Sequence, residues 1–184
     1  MAAFVAVPAV NLRQFWTVSV ISAASARQIA VRLGVDGEMA YCAGLLQGIG
    51  HLILCQCRPE QAQKALPAYR LIWGTELAAV EQQAFGVSHP VVSAIWVSRL
   101  GLPAEVVDAL RHSLEPMSAA APRLGRVVQL ACSVAASVAA GETVEQAVAR
   151  VDMALIAILN LETYLSSDRF GTDFGELQSL SMPL

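Results

Sequence analysis

Apolar residues recur at steps of three and four positions along almost the whole chain, and this helical period is the strongest constraint on its fold. The period is clearest between Leu12 and Leu33, and Gly34 then ends the segment as a residue suited to the left-handed conformation. No segment alternates apolar and polar residues with the two-residue period of a strand. The sequence therefore predicts an all-α fold, a compact orthogonal bundle of seven to nine helices.

Composition limits the partners that such a bundle can have. Apolar residues make up 55% of the chain and charged residues 15%, so the chain holds ample core material and is not disordered. The formal net charge is −3, and no block of basic residues occurs. Binding to nucleic acid or to an anionic membrane surface relies on such blocks. We therefore expect no nucleic acid and no membrane as a partner.

One stretch, Met39 to Cys57, carries no charge over a length that could cross a membrane. It contains the polar residues Gln47, His51 and Gln56, and no basic flank orients it. We interpret it as part of a buried core helix running from about Gly37 to Gln56. The four cysteines form no CxxC pair, and the N-terminus lacks the basic start of a signal peptide. Together these features predict a cytoplasmic protein with reduced thiols.

The chain divides into three parts by its pattern. Residues 1–11 form an apolar N-terminal segment, residues 12–165 form the helical domain, and residues 166–184 form a polar, glycine-containing tail. We expect this tail to be loosely attached. Within the domain, Thr143 and Gln146 have the spacing of a capping box for the helix that follows.

Four short motifs carry a resemblance to a known family. In chain order they read Phe15-Trp16-Thr17-Val18-Ser19, Ala43-Gly44-Leu45-Leu46-Gln47-Gly48-Ile49-Gly50, Glu81-x3-Phe85-Gly86-x2-His89 and Ala109-Leu110-Arg111-His112-Ser113. Their order and spacing are similar to those of the HDOD domain, the signalling relative of the HD and HD-GYP metal-dependent phosphohydrolases. The resemblance implies an HD-domain-like helical bundle. It also implies that the chain corresponds to the C-terminal part of the family's domain.

The sequence departs from the family pattern at the positions that the resemblance assigns to metal ligands. The family's second motif normally reads Gly-Leu-Leu-His-Asp-Ile-Gly, and its His-Asp pair is Gln47-Gly48 here. The histidine of the first motif is Val18, the second of two paired histidines is Ser113, and a later aspartate is Cys132. The resemblance therefore implies a vestigial metal site at Val18, Gln47, Gly48, His89, His112, Ser113 and Cys132.

A site with these residues lacks the anions that a pair of metal ions requires. Such hydrolases hold two cations about 3.5–4 Å apart, which activate water and bind phosphoryl oxygens. A bridging carboxylate offsets the repulsion between the cations, but Gly48 has no side chain. The neutral amide of Gln47 is a poor ligand for a transition metal. We therefore expect no catalytic residue, no bound metal, no cofactor and no enzymatic activity.

Each histidine has a structural interpretation beside a functional one. His89 stands next to a helix start, where an imidazole can cap or pack as well as bind a ligand. His112 follows a helix end, where a cationic ring suits the helix dipole. His51 is one turn from Cys55, a spacing that can hold a metal but also suits a core. We expect His89, His112 and Cys132 to share one cavity that holds no ion.

These observations favour a non-catalytic signal-transduction module, such as a response-regulator output domain, that acts by protein–protein contact. The expected partners are a receiver or sensor domain, fused or separate, and a second copy of the chain in a homodimer, because apolar helical faces must be covered. The alternative is a degenerate HD-type phosphohydrolase or nucleotide-binding module that keeps a pocket at the vestigial metal site. A third interpretation is a structural fragment whose function lies in residues outside this sequence.

Overall fold

The computed structural model describes residues 10–66 and 74–181, and every regular element in these two ranges is an α-helix. The all-α prediction is therefore confirmed. The helices are α1 (Leu12–Arg32), α2 (Gly37–Leu46), α3 (Ile49–Cys57), α4 (Pro59–Ala65), α5 (Gly74–Phe85), α6 (His89–Arg99), α7 (Ala104–Arg111), α8 (Arg123–Ala139), α9 (Val144–Arg150), α10 (Met153–Leu159), α11 (Glu162–Leu165) and α12 (Asp168–Ser181).

Breaks at polar and glycine-containing corners raise the number of helices in the described ranges to twelve, above the predicted seven to nine. The apolar stretch expected to form one helix is divided at Gln47 and Gly48 into α2 and α3. Near the C-terminus, Asn160 adopts a left-handed conformation with a φ of 57° and separates α10 from α11. The bundle is consequently built from shorter pieces than the apolar period alone indicates.

Local sequence signals set several of the helix boundaries. The Thr143 hydroxyl accepts a hydrogen bond from the Gln146 N–H, and the Gln146 side chain accepts one from the Thr143 N–H, so the predicted capping box is confirmed. Gly34 has a φ of 65° directly after α1 and its C-cap. This is the left-handed geometry that glycine adopts without a steric penalty at a helix end.

The first helix forms the centre of the bundle because α2 and α8 both pack along it. Its residues Ile21, Ala26 and Ile29 belong to the main core. Gly44 of α2 lies directly on the α1 backbone, since a Cβ atom there would come within 2.7 Å of the Ser22 carbonyl oxygen. The absence of a side chain at this position allows the two helices to cross closely.

In the described part of the chain, one helical stretch, Gly37–Cys57, is long and apolar enough to cross a membrane. Other helices cover much of it, with 56% of its most apolar window buried inside the protein. Core helices of globular domains have the same length and composition, and this degree of burial favours the core interpretation made from the sequence.

Helix α12 packs against the core, so the prediction of a loosely attached tail is wrong for the part of the tail that the structure describes. Helix α12 buries Phe170, Phe174 and Leu177 in the main core. These residues recur at steps of four and three and therefore share one face of the helix. The glycines that suggested a loose tail, Gly171 and Gly175, lie away from that core, because a Cβ atom added to either would have no neighbour within 4 Å.

A buried carboxylate ties α12 to the beginning of the domain. Asp173 is 1% exposed and accepts hydrogen bonds from Arg32 of α1 at 2.5 Å and from the Tyr164 hydroxyl at 2.8 Å. Arg32 also lies over the Tyr164 ring, 4.3 Å from its centroid, in a cation–π contact. Arg169 lies one turn before Asp173 and adds a second ion pair at 3.0 Å.

We expect Asp173→Asn to lower the free energy of unfolding by about 1.5–3 kcal/mol, the usual range for hydrogen bonds to charged groups. The substitution preserves shape but removes the charge that Arg32 and Arg169 face. Urea unfolding and limited proteolysis of the C-terminus measure the effect, with exposed Asp108→Asn as the matched control. Equal stability and equal protease resistance in the two variants would contradict this account.

Candidate functional site

A buried carboxylate between two imidazoles joins helices α3, α5 and α6. Glu81 of α5 is fully buried, and its Oε1 accepts a hydrogen bond from His51 Nδ1 of α3 at 2.8 Å. Its Oε2 accepts from His89 Nδ1 and from the His89 backbone N–H, both at 2.6 Å. Because a carboxylate only accepts, both rings carry their proton on Nδ1 in this arrangement. The His51–Glu81–His89 cluster thus links three helices through one side chain.

The hydrogen bonds keep Glu81 ionised in spite of its burial. Burial alone raises the pKa of a carboxyl group. The hydrogen bonds from His51 and His89, together with the attraction of His89, lower the pKa of Glu81 by more than burial raises it. The resulting pKa of Glu81 is about 2. All three N–H groups at this carboxylate are already engaged with it, so Glu81 is committed to the fold and is not offered to a ligand.

Cys55 borders the cluster, with its Sγ atom 3.7 Å from His51 Nε2. Burial, and to a smaller extent the charge of Glu81, raise the pKa of this thiol to about 12. The thiol therefore stays protonated at neutral pH, whereas metal binding requires a thiolate. The pair His51 and Cys55, whose spacing was compatible with a metal, forms part of the core.

Helix α3 reaches α6 by an approach that only glycine permits. A Cβ atom on Gly50 would lie 2.7 Å from the Ser93 nitrogen and still closer to the His89 carbonyl oxygen. The Gly50 N–H donates to Ser93 Oγ at 2.9 Å, and the Ser93 hydroxyl donates to the Gln47 carbonyl oxygen at 2.9 Å. These bonds satisfy the backbone at the corner between α2 and α3 and hold His89 beside Glu81.

Four of the predicted vestigial positions line one cavity of about 230 Å³. They are Val18 of α1, Gln47 at the α2–α3 corner, Ser113 after α7 and Cys132 of α8. We refer to this space as the Gln47 cavity. The first, second and fourth motifs thus meet α8 at one place in the fold although they come from distant parts of the chain.

The other three predicted positions do not line the Gln47 cavity. His89 is held in the cluster with Glu81. His112 is the C-terminal cap of α7 and is half-buried. Gly48 faces the ring of Phe15, whose Cε2 atom would lie 3.0 Å from an added Cβ atom. The lining of the Gln47 cavity therefore includes Cys132 but neither histidine, unlike the expected cavity shared by all three.

The lining of the Gln47 cavity does not suit a pair of metal ions. No carboxylate and no imidazole belongs to it. Burial raises the pKa of Cys132 to about 12, against a smaller opposing contribution from the Ser22 hydroxyl. The charged residue in the lining of the Gln47 cavity is Arg150, which is paired with Glu142. Across the described ranges, no group of three or more His, Cys, Asp or Glu residues is arranged to hold a metal ion.

Sequence reasoning missed the structural partnership of Glu81. The residue was recognised only as a letter of the third motif, and His51 was paired with Cys55 alone. A signal was present, because Glu81 is followed eight residues later by His89, a possible hydrogen-bond partner for its carboxylate. It could not reveal His51 as the second partner, which lies 30 residues earlier in the chain. Gln129, a lining residue of the Gln47 cavity, was also missed.

A family model described as HDOD domain matches residues 2–116 of the chain. This range is more than half of the sequence and contains all four motifs together with His51, Glu81 and His89. A comparison with curated proteins gave no match.

Solved structures that share this fold include the following three. The MmoQ response regulator of Methylococcus capsulatus str. Bath is 23% identical, with a TM-score of 0.64, covering 93% of this chain and 62% of that one. A provisionally assigned phosphohydrolase of Shewanella amazonensis SB2B is 18% identical, with a TM-score of 0.64 and coverages of 95% and 66%. A provisionally assigned signal transduction protein of Marinobacter aquaeolei VT8 is 22% identical, with a TM-score of 0.71 and coverages of 93% and 38%. The chain thus spans less than two thirds of each of these proteins.

Proposed function

The chain belongs to the HDOD domain family, and we propose that it is a non-catalytic regulatory module that takes part in signal transduction through protein–protein contacts. One observation carries this proposal. Four of the seven positions that correspond to metal ligands line a cavity without an anionic group, and the buried carboxylate Glu81 is taken up by His51 and His89. Such an arrangement maintains a fold but provides no group that activates water.

The names of two structural neighbours support a signalling role. One is called a response regulator and another a signal transduction protein. Both are longer than this chain, which spans 62% and 38% of their lengths. Our proposal includes a receiver or sensor domain as partner, on the same polypeptide or on a separate one.

The alternative function is phosphoester hydrolysis, and the name of the Shewanella amazonensis neighbour favours it. A binuclear mechanism needs two adjacent cations and anionic ligands between them. Gln47, Ser113 and Cys132 provide neutral groups at neutral pH, because the pKa of the Cys132 thiol is raised to about 12. An activity assay separates the two functions.

We expect the purified protein to show no phosphodiesterase turnover with Mn²⁺, Fe²⁺ or Zn²⁺, because no ligand set for a metal pair is present in the described residues. Hydrolysis of bis-p-nitrophenyl phosphate and of cyclic dinucleotides provides the measurement, with metal in buffer as the blank. Turnover that survives repurification and disappears in a Gln47→Ala variant would overturn the non-catalytic proposal.

An apolar face of α1 is the contact surface that we propose for self-association. Trp16 is 44% exposed and Val20 is 37% exposed. They are one turn apart and therefore on the same side of the helix. The Trp16 ring is held edge-on against the buried Phe15 ring at a centroid distance of 5.1 Å, so its orientation is fixed before any partner binds.

We expect a homodimer in solution and a monomer in the Trp16→Ser/Val20→Ser variant, because a specific interface needs about 1,200 Å² or more of buried surface and depends on large aromatic anchors. Light scattering across a concentration series measures the mass. The variant Ile158→Ser removes an exposed apolar residue of α10 as the control and should leave the dimer intact. A monomeric wild type at high concentration would refute self-association.

A further inference from the structure

We propose that the Gln47 cavity binds one small, uncharged heterocycle of nucleobase size through the side-chain amides of Gln47 and Gln129. The cavity lies between α1, the α2–α3 corner, the first residues of α5, the segment after α7 and α8, and it is also lined by Arg150 of α9. This inference goes beyond the proposed regulatory function and does not depend on it. Protein–protein signalling can hold whether or not the cavity has a ligand.

The volume of the cavity limits the size of its occupant. At about 230 Å³ it is smaller than the pockets of about 300–1,000 Å³ that hold drug-sized ligands. A dry protein cavity of about 150 Å³ is already large enough for benzene. The Gln47 cavity therefore has room for a single substituted ring, with further substituents directed outward.

The charges around the cavity favour an uncharged occupant. None of the lining residues is acidic, so a metal cation would find no anion to offset its desolvation. Arg150 is engaged by Glu142, and its side chain is 59% exposed, so a phosphate buried in the cavity would lack a desolvated cationic partner. The pKa of Cys132 is raised by burial, which keeps that thiol neutral as well.

The hydrogen-bonding groups of the lining match a ring that carries both N–H and carbonyl groups. Each glutamine amide offers a donor beside an acceptor, the pairing by which glutamine binds the edge of an adenine base. Gln129 Oε1 is buried and makes no hydrogen bond with the described residues. A buried amide oxygen without a hydrogen bond calls for a partner. Rotation of the Gln129 amide about its last torsion would turn its oxygen or its nitrogen towards the cavity that this residue lines.

Two further groups act as acceptors. The Ser113 hydroxyl donates to the Leu110 carbonyl oxygen at 2.9 Å, and the Ser133 hydroxyl donates to the Gln129 carbonyl oxygen at 3.2 Å. Because their protons are used in these bonds, both hydroxyl oxygens can accept from a ligand N–H. Both serines line the cavity.

Apolar side chains complete the lining and suit the faces of a ring. Val18, Leu114 and Ala136 provide aliphatic surface next to the amides. A mostly apolar pocket with a few convergent polar groups is the usual form of a small-molecule site. The combination of aliphatic faces and two amide edges distinguishes a flat heterocycle from a sugar or an inorganic ion.

The experiment is a titration of the full chain with uracil, cytosine and hypoxanthine, and in separate runs with inorganic phosphate and Zn²⁺. Calorimetry and ¹H–¹⁵N NMR monitor each titration. We expect one of the bases to saturate near one equivalent and to shift the side-chain amide resonances of Gln47 and Gln129. We expect Gln129→Leu to weaken that binding about tenfold, the effect of losing one net hydrogen bond of about 1.4 kcal/mol. Ala136→Met should abolish it by filling the cavity.

The matched control is Gln83→Leu, which removes an exposed amide of α5 and should leave the affinity unchanged. Where a cavity variant fails to fold, contacts between the ring protons and the methyl groups of Val18 and Ala136 in wild-type NMR spectra replace it. No saturable binding of any base at millimolar concentration would overturn the proposal. Base binding that is unaffected by the cavity variants, or saturation by phosphate or Zn²⁺ alone, would also overturn it. None of these outcomes bears on protein–protein signalling.

Discussion

Replacement of Glu81 by glutamine is expected to lower the free energy of unfolding at pH 7 by about 3 kcal/mol. The pKa of Glu81 falls from 4.5 to about 2 on folding, and each unit corresponds to about 1.36 kcal/mol. Glutamine keeps the size and shape of the side chain. However, it removes the charge and places an NH₂ group where the carboxylate accepts an N–H from His51 or His89.

Urea unfolding at pH 7 measures this effect, and Glu105→Gln provides the control. Glu105 is an exposed residue in the first turn of α7, so its neutralisation should change stability by less than about 0.5 kcal/mol. A loss below about 1 kcal/mol in the Glu81→Gln variant would show that the buried carboxylate does not hold the three helices together.

The lowered pKa of Glu81 also determines how the stability loss of the Glu81→Gln variant depends on pH. Because the pKa of Glu81 is lower in the folded protein than in the unfolded chain, its contribution to stability is complete above about pH 4.5. The contribution decreases as the pH falls from about 4.5 towards about 2. The stability difference between wild type and Glu81→Gln should therefore narrow across this acidic range. A difference that stays constant would contradict an ionised Glu81.

The second large effect is expected at Gly50. We expect Gly50→Ala to lower the free energy of unfolding by about 3 kcal/mol or more, at the upper end of the range for overpacked cores. The added methyl group would overlap backbone atoms of His89 and Ser93, which cannot move without separating α3 from α6. The movement would also displace His89 from Glu81. Thermal and urea unfolding give the loss.

Gly175→Ala is the matched control for that substitution. Gly175 lies inside α12, and no atom lies within 4 Å of the position that its Cβ would take. The same chemical change should therefore stabilise the protein by about 0.5–1 kcal/mol, because alanine has the higher helix propensity. Similar effects of the two substitutions would mean that the close approach of α3 and α6 has no energetic consequence.

The fold class could be predicted from the sequence because its signals are local. Apolar steps of three and four residues, the Thr143–Gln146 capping box and the glycine after α1 depend on residues less than two turns apart. The division at Gln47 and Gly48 was harder to predict, since apolar residues continue on both sides of it. Its cause is a tertiary contact, the hydrogen bond of Ser93 to the Gln47 carbonyl oxygen.

The candidate site was predictable only in part, for a related reason. The family resemblance led to Val18, Gln47, Ser113 and Cys132, which do line one cavity. It did not show that His89 is turned towards Glu81, because that geometry depends on the packing of three helices. The Arg32–Asp173 pair was equally invisible, as its members are 141 residues apart.

The attachment of α12 to α1 has a consequence for the order in which the chain can fold. The core around α1 is completed by Phe170 and Phe174, and its ion pair connects the first helix to the last one described. During synthesis, the bundle cannot complete its core until Phe170 and Phe174 have left the ribosome. Until then, the apolar surface that they cover stays exposed. Contacts between residues so distant in sequence also slow refolding. The long chain segment between α1 and α12 must close into a loop before these contacts can stabilise the folded state. Late closure of this kind lengthens the time for which the nascent chain exposes apolar helix faces.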